Sequence, residues 1–253
     1  MNNQSSLPQA FALGFCLAVT GHRAERISEE AGVSLLRAVV ELLRFLDKEI
    51  SAAQELASGY YVSGGPELKV VSALAEGADR IIAWAGLRQG WRLDVVLPFP
   101  PLEYELDFPS SESRKEFTQL LEAASAVMDL GYSRETEVSQ GYIAVGQVLA
   151  RNCDLLVAIW DGEPAVGPGG TAQVVEAALK EGVPVVWMLP EATPRVRLIV
   201  PTSTGPLVSD SGDWRDALKR LLHEALSPPQ ANVELTVDAA KRLGIAIYHA
   251  EPL

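Results

Sequence analysis

A chain of 253 residues has room for one large α/β domain, or for one domain with a small extension. Its content of 48% hydrophobic and 21% charged residues is that of a chain that buries a full core, which excludes a disordered protein. The formal charge of −12 argues against nucleic acid as a partner, because non-specific binding to DNA or RNA depends on clustered Lys and Arg; an anionic ligand would have to be held locally, by backbone N–H groups and a few placed cations.

Six short apolar runs have the character of strands: 15–20 (FCLAVT), 68–73 (LKVVSA), 93–97 (LDVVL), 126–130 (AVMDL), 154–160 (DLLVAIW) and 184–189 (PVVWML). Helical patterns lie between them over 30–57, 77–89, 111–124, 139–151 and 171–181. Near-continuous apolar strands alternating with helices predict an α/β, Rossmann-like, doubly wound and mainly parallel sheet, with helices on both faces and ligands outside the carboxyl ends of the strands. This main domain spans 1–189.

After residue 189 the texture changes. Pro190, Pro194, Pro201 and Pro206 punctuate a loop-rich stretch, and an amphipathic helix follows with Trp214, Leu218, Leu221, Leu222 and Ala225 on one face. A short helix and a strand (245–249) are expected within 233–253. Residues 190–253 thus form a small C-terminal extension that packs on the main domain.

The two cysteines, Cys16 and Cys153, sit beside apolar runs and in no CxxC or CxxH pattern, so they are expected as small core residues, with no disulfide framework and no metal site. No apolar run reaches the ~18 residues of a membrane span. The start of the chain lacks the charged n-region of a secretory signal. A cytoplasmic protein with no membrane partner is expected.

Chemistry concentrates at the predicted strand ends. Thr20-Gly21-His22-Arg23 closes the first strand: Gly21 permits a tight turn and close backbone approach, His22 stands at the mouth of the crevice, and Arg23 offers a planar fork for a phosphate. Glu76-Gly77-Ala78-Asp79 follows the second strand. Glu76 and Asp79 are each placed to accept ribose hydroxyls, although an Asp in a first helical turn is also what the helix dipole favours.

The proline-stiffened aromatic stretch 97–108 is long for its place. Tyr104 or Phe108 is positioned either as a lid stacking on a base or as an anchor pinning the loop. Arg134 either reaches an anion or pairs with Glu135 or Glu137, and Tyr142 brackets the entry to the following helix.

The stretch DLLVAIWDGEPAVGPGGTAQVVE, 154–176, carries the strongest signal: a strand, a loop with Gly162, Gly167, Gly169 and Gly170, and a helix opening near Thr171. Backbone N–H groups and the positive end of a helix dipole meet there, which suits a phosphate. A Walker A reading of Gly162 and Gly167 fails because Pro168 stands where Lys must be. A dinucleotide fingerprint fits Gly167 to Ala172, with Glu191 at about the expected spacing of ~20 residues. Six residues separate Trp160 from Gly167, however, and Asp161 would oppose a pyrophosphate. Glu176 falls on a polar stripe with Gln173 and Lys180, a solvated face.

The pieces VTGHR (19–23), SALAEGADR (72–80), DLLVAIWDG (154–162) and GPGGTA (167–172) resemble the SLOG superfamily, which unites the LOG phosphoribohydrolases, the Rossmann domain of DNA-processing protein A and ligand-sensing domains of bacterial nucleotide-signalling systems. The resemblance spans about three quarters of the chain. It implies a bacterial-type Rossmann-like ligand sensor that binds a nucleotide or an NAD metabolite over Gly21, Gly169, Gly170 and Thr171, and that forms homodimers or acts with a separate effector.

LOG enzymes carry Pro-Gly-Gly-x-Gly-Thr-x-x-Glu, whose Glu helps to cleave the N-glycosidic bond; Thr171 matches the threonine, but the Glu position is Val174. A binding module without catalysis and without a required cofactor is therefore expected. Its phosphate would lie on Gly169, Gly170 and Thr171 with Arg23 as cation, Glu76 or Asp161 would accept ribose hydroxyls, and the loop at Tyr104 would cover the base. The alternatives are a LOG-like phosphoribohydrolase using Asp161 as its carboxylate, and an NAD-dependent oxidoreductase.

Overall fold

A computed structural model describes residues 11–210 and 212–228; the helix and strand expected within 233–253 lie outside these. In chain order the elements are β1 (Gly14–Gly21), α1 (Glu29–Leu56), β2 (Glu67–Ser72), α2 (Ala78–Arg88), β3 (Arg92–Leu97), α3 (Pro101–Tyr104), α4 (Ser111–Ala123), β4 (Ala126–Asp129), α5 (Val138–Arg151), β5 (Leu155–Ile159), α6 (Thr171–Lys180), β6 (Val185–Met188), β7 (Val196–Val200), β8 (Leu207–Val208) and α7 (Trp214–Leu226). The eight strands form one sheet in the order β4-β3-β2-β1-β5-β6-β7-β8. All pairings from β4 to β6 are parallel; β6–β7 and β7–β8 are antiparallel. The fold is an α/β, Rossmann-like doubly wound sheet.

The period of two along each strand builds two cores. Phe15, Leu17 and Val19 of β1, with Leu155, Val157 and Ile159 of β5, point to the face covered by α1, α2 and α7. Cys16 and Ala18, with Leu156 and Ala158, point to the face covered by α5 and α6. Small residues on the second face let its helices approach closely: a Cβ at Gly146 of α5 would lie 2.8 Å from Val174 Cγ2 of α6. The thiol of Cys16 donates to Asn152 O at 3.0 Å, and burial pushes both Cys16 and Cys153 up to about 12, so neither is a thiolate at neutral pH.

Two strands beyond the six expected ones lie C-terminal to β6. The segment VRLIV of β7 carries Arg197 in its middle, which breaks the apolar run that would have marked it as a strand. It pairs as a hairpin with β6 because the Pro190–Pro194 turn returns the chain, held by Arg195 on Glu191 at 2.7 Å. Helix α7 then lays Trp214, Leu218 and Leu222 into the first core, with Trp214 edge-on to Phe45 of α1. The stretch 97–108 forms α3, with Pro101 at its first turn, and a 3₁₀ turn Glu105–Asp107. Among the described residues no helix is long and apolar enough to cross a membrane.

Candidate functional site

β1 and β5 are hydrogen-bonded neighbours, yet β1 leads through α1 to β2 on one side and β5 leads through α6 to β6 on the other. Their carboxyl ends are a topological switch point, where a crevice opens. A cavity of about 330 Å³ lies there, lined by the turn after β1, the turn after β2, α3, α5 and the glycine loop before α6.

Glycine permits the close approach of the first two turns. A Cβ at Gly21 would stand 2.7 Å from Ile159 O, so β1 meets β5 only with hydrogen there. Gly77 adopts φ +89°, and a Cβ on it would lie 2.5 Å from His22 O. Ala78 N–H donates to that same carbonyl at 3.1 Å, which seats the turn after β1 on the start of α2. Leu74, between the cavity-lining Ala73 and Ala75, has φ +57°. A left-handed leucine costs about 1–2 kcal/mol and persists where the surroundings impose it.

Thr20, Gly21, His22, Arg23, Tyr104, Gly169, Gly170 and Thr171, singled out from the sequence, are brought together around this cavity. Their donors differ from those expected. Gly169 N–H donates to Gln173 Oε1 at 2.8 Å and Gly170 N–H to Gly167 O at 3.2 Å, so both are spent within the loop. The first two helical N–H groups, of Thr171 and Ala172, have no acceptor among the described residues, as the geometry of a helix start dictates. The N–H groups left without an acceptor among the described residues are thus the first two of α6. Gly169, at φ +72°, instead lets the loop rest on the Tyr142 backbone: a Cβ there would meet Tyr142 C at 2.7 Å.

Other expected members stand apart. Glu76 accepts from the Ser113 hydroxyl and faces α4, not the cavity. Gly77 supports the turn from beneath, and Gly162 packs over the Trp187 ring at 3.2 Å for a Cβ. Phe108 is fully buried under the Arg80 guanidinium, 4.3 Å from its ring centroid. Tyr104 lines the cavity but is only 1% exposed, edge-on to Phe108 and Phe117. The aromatic stretch is thus an anchored wall and not a mobile lid: its rings are worth more packed on each other than open to water.

Asp161 also lies outside the cavity lining. Its carboxylate is held by Arg26 Nη2, by Glu163 N–H at 3.0 Å and by His22 Nε2 at 3.1 Å. Burial opposes its ionisation, but the Glu163 N–H, His22 and Arg26 outweigh that and keep the carboxyl below its usual range. Burial lowers His22 below the ordinary imidazole range, against the pull of Asp161. Asp161 N–H donates to His22 Nε2 at 3.2 Å, so in the neutral ring Nε2 accepts and the proton stands on Nδ1; the ring pairs with the carboxylate only when it is protonated. An acid poised to exchange protons near neutrality needs the opposite environment, so Asp161 is built as a brace between β5 and the turn after β1.

Sequence reasoning passed over or discounted three residues that the fold makes prominent. Arg26 lines the cavity from the 3₁₀ turn Ala24–Arg26. Asp107, whose side chain is 8% exposed, gathers Arg134 at 2.6 Å, Arg23 at 3.7 Å and the Tyr142 hydroxyl. Asp79, discounted in favour of the helix dipole, is 5% exposed and lines the cavity. Burial pushes it up to about 7, against the Ala75 N–H, Arg23 and Arg80. Its sequence signal, an acid in a first helical turn, is indistinguishable from ordinary capping. Among the described residues no group of three or more His, Cys, Asp or Glu is arranged to hold a metal ion.

No protein-family model matches the chain, and no curated protein matches it. Solved structures match at low identity. DNA processing protein A from Streptococcus pneumoniae is 19% identical with a TM-score of 0.41, over 70% of this chain and 50% of its own. This chain therefore spans half the length of that structure. DNA processing protein A from Helicobacter pylori is 17% identical with a TM-score of 0.41, over 86% and 76%. The molybdenum cofactor carrier protein from Chlamydomonas reinhardtii is 18% identical with a TM-score of 0.35, over 69% and 76%.

The Helicobacter structure is described for its mode of binding single-stranded DNA, and this corrects the expectation that nucleic acid is excluded as a partner. The formal charge of −12 does not decide the matter, since a few placed arginines and backbone N–H groups are enough to hold phosphates locally. The Rossmann-like α/β fold of this chain is shown by its own parallel order β4-β3-β2-β1-β5-β6.

Proposed function

We propose that the cavity at the β1/β5 switch point binds a phosphorylated nucleoside or a nucleotide-derived small molecule, without cleaving it. The observation that carries this reading is the pairing of free N–H groups with cations. The Thr171 and Ala172 N–H groups at the positive end of α6 border the same cavity as Arg23 and Arg26. Such a border suits a phosphate. A volume of about 330 Å³ is that of a small-ligand site. Val174 lines the cavity at the position where LOG enzymes carry their glutamate, and the Asp161 carboxylate is braced outside it. Both favour binding over N-glycosidic cleavage.

Titration calorimetry with AMP, ADP, ADP-ribose and NAD tests the reading, with a short single-stranded oligonucleotide as a parallel arm. At least one mononucleotide is expected to bind more tightly than about 1 mM. Arg23→Ala is expected to weaken that binding by about tenfold to a hundredfold, the value of one charge-assisted hydrogen bond. Binding of the oligonucleotide alone, or affinities that ignore Arg23→Ala, would overturn it.

A further inference from the structure

We propose that the inner wall of the cavity, Asp79 flanked by Arg23, Tyr104 and Tyr142, is a subsite for a vicinal diol, so that the ligand is ribose-bearing and its deoxyribose analogue is discriminated against. This rests on the nucleotide reading above and adds the part of the ligand that the phosphate end does not specify.

Three observations support it. Asp79 borders the cavity although it is nearly inaccessible, and its carboxylate takes the Ala75 N–H of the turn after β2 at 3.3 Å. A carboxylate offers about four acceptor positions, so capacity for further donors is left over. The neighbours that border the same cavity are donors: the Arg23 guanidinium from the turn after β1 and the Tyr104 hydroxyl from α3, while the Tyr142 hydroxyl from α5 is given to Asp107. A diol complements this set, because it gives two O–H donors to the carboxylate and keeps oxygens that accept from arginine and tyrosine. A cationic ligand group is disfavoured by Arg23. The other acid of this turn, Glu76, is committed to Ser113.

The charged and titratable groups facing Asp79 are Arg23, Arg80 on its own helix and Tyr104, with Asp107 and Tyr142 beyond Arg23. Burial leaves the carboxyl titrating at about 7. Donors from a ligand favour its ionised form, so binding pulls that value down. Affinity for a diol ligand therefore rises as pH increases towards 7 and is flat above it.

The test compares AMP with 2′-deoxyAMP by calorimetry, on the full chain, at about pH 6 and about pH 8. The wild type is expected to prefer AMP by about tenfold at the higher pH and by less at the lower. Asp79→Asn is expected to erase the preference while keeping the affinity for 2′-deoxyAMP. Equal affinities in the wild type, or a preference that survives Asp79→Asn, overturn the diol subsite alone. Binding of neither nucleotide by the wild type overturns the nucleotide reading and the subsite with it. The wild-type comparison decides the question even where the variant folds poorly.

Discussion

Replacing Gly77 by alanine is expected to lower stability by about 3 kcal/mol and to abolish nucleotide binding. Two costs combine. A non-glycine residue at φ +89° carries about 1–2 kcal/mol of left-handed strain. The new Cβ would also stand 2.5 Å from His22 O, 2.7 Å from Ala24 N and 2.8 Å from Arg23 C. These are backbone atoms with no rotamer to yield, and forced overlaps of this kind cost about 1–3 kcal/mol. Relief comes only by lifting the turn after β1, which carries His22, Arg23 and Arg26 at the cavity wall. A urea unfolding midpoint unchanged in Gly77→Ala would contradict this account, as would retained binding of a nucleotide that the wild type binds.

The second large effect is pH-linked. Asp79→Asn is expected to be more stable than the wild type above pH 7 and close to it in acid. The folded value of about 7 stands above the ordinary carboxylate value of 3.8, so the folded state holds the proton more tightly. Stability is fully present below about 4 and is lost as pH rises through about 7, for a total of roughly 4 kcal/mol at 1.36 kcal/mol per unit. More than half of this falls between pH 5 and pH 8. Asparagine keeps an oxygen for the Ala75 N–H but has no charge to bury, so that slope is expected to vanish. Urea titrations of both proteins across that range measure it. Parallel pH profiles would show that Asp79 titrates as an ordinary surface carboxylate.

These two positions also mark what sequence alone conveys. Both sit in AEGAD, 75–79, and both have the appearance of routine helix-start residues. The sequence offers both Glu76 and Asp79 to ribose hydroxyls, and the helix dipole gives Asp79 an ordinary alternative role. They stand three positions apart, and in the fold Glu76 accepts from the Ser113 hydroxyl on α4 while Asp79 lies against the cavity. Asp161 was similarly inviting at a strand end, yet Arg26 and His22 converge on it from the end of β1, 135 and 139 positions away in the chain. Pairing over such separations has no local signature.

By itself the sequence determined the strand–helix alternation, the mainly parallel sheet implied by near-continuous apolar strands, and the glycine-rich strand ends that border the cavity. Each of these comes from periodicity and from backbone freedom, which act over a few residues. Only the tertiary structure decided which side chains face the cavity, which N–H groups remain free at α6, that the 97–108 stretch is a wall, and that β7 and β8 extend the sheet. Those outcomes depend on how buried polar groups find partners across the fold, and a polar atom excluded from water takes the nearest donor or acceptor in space, whatever its distance along the chain.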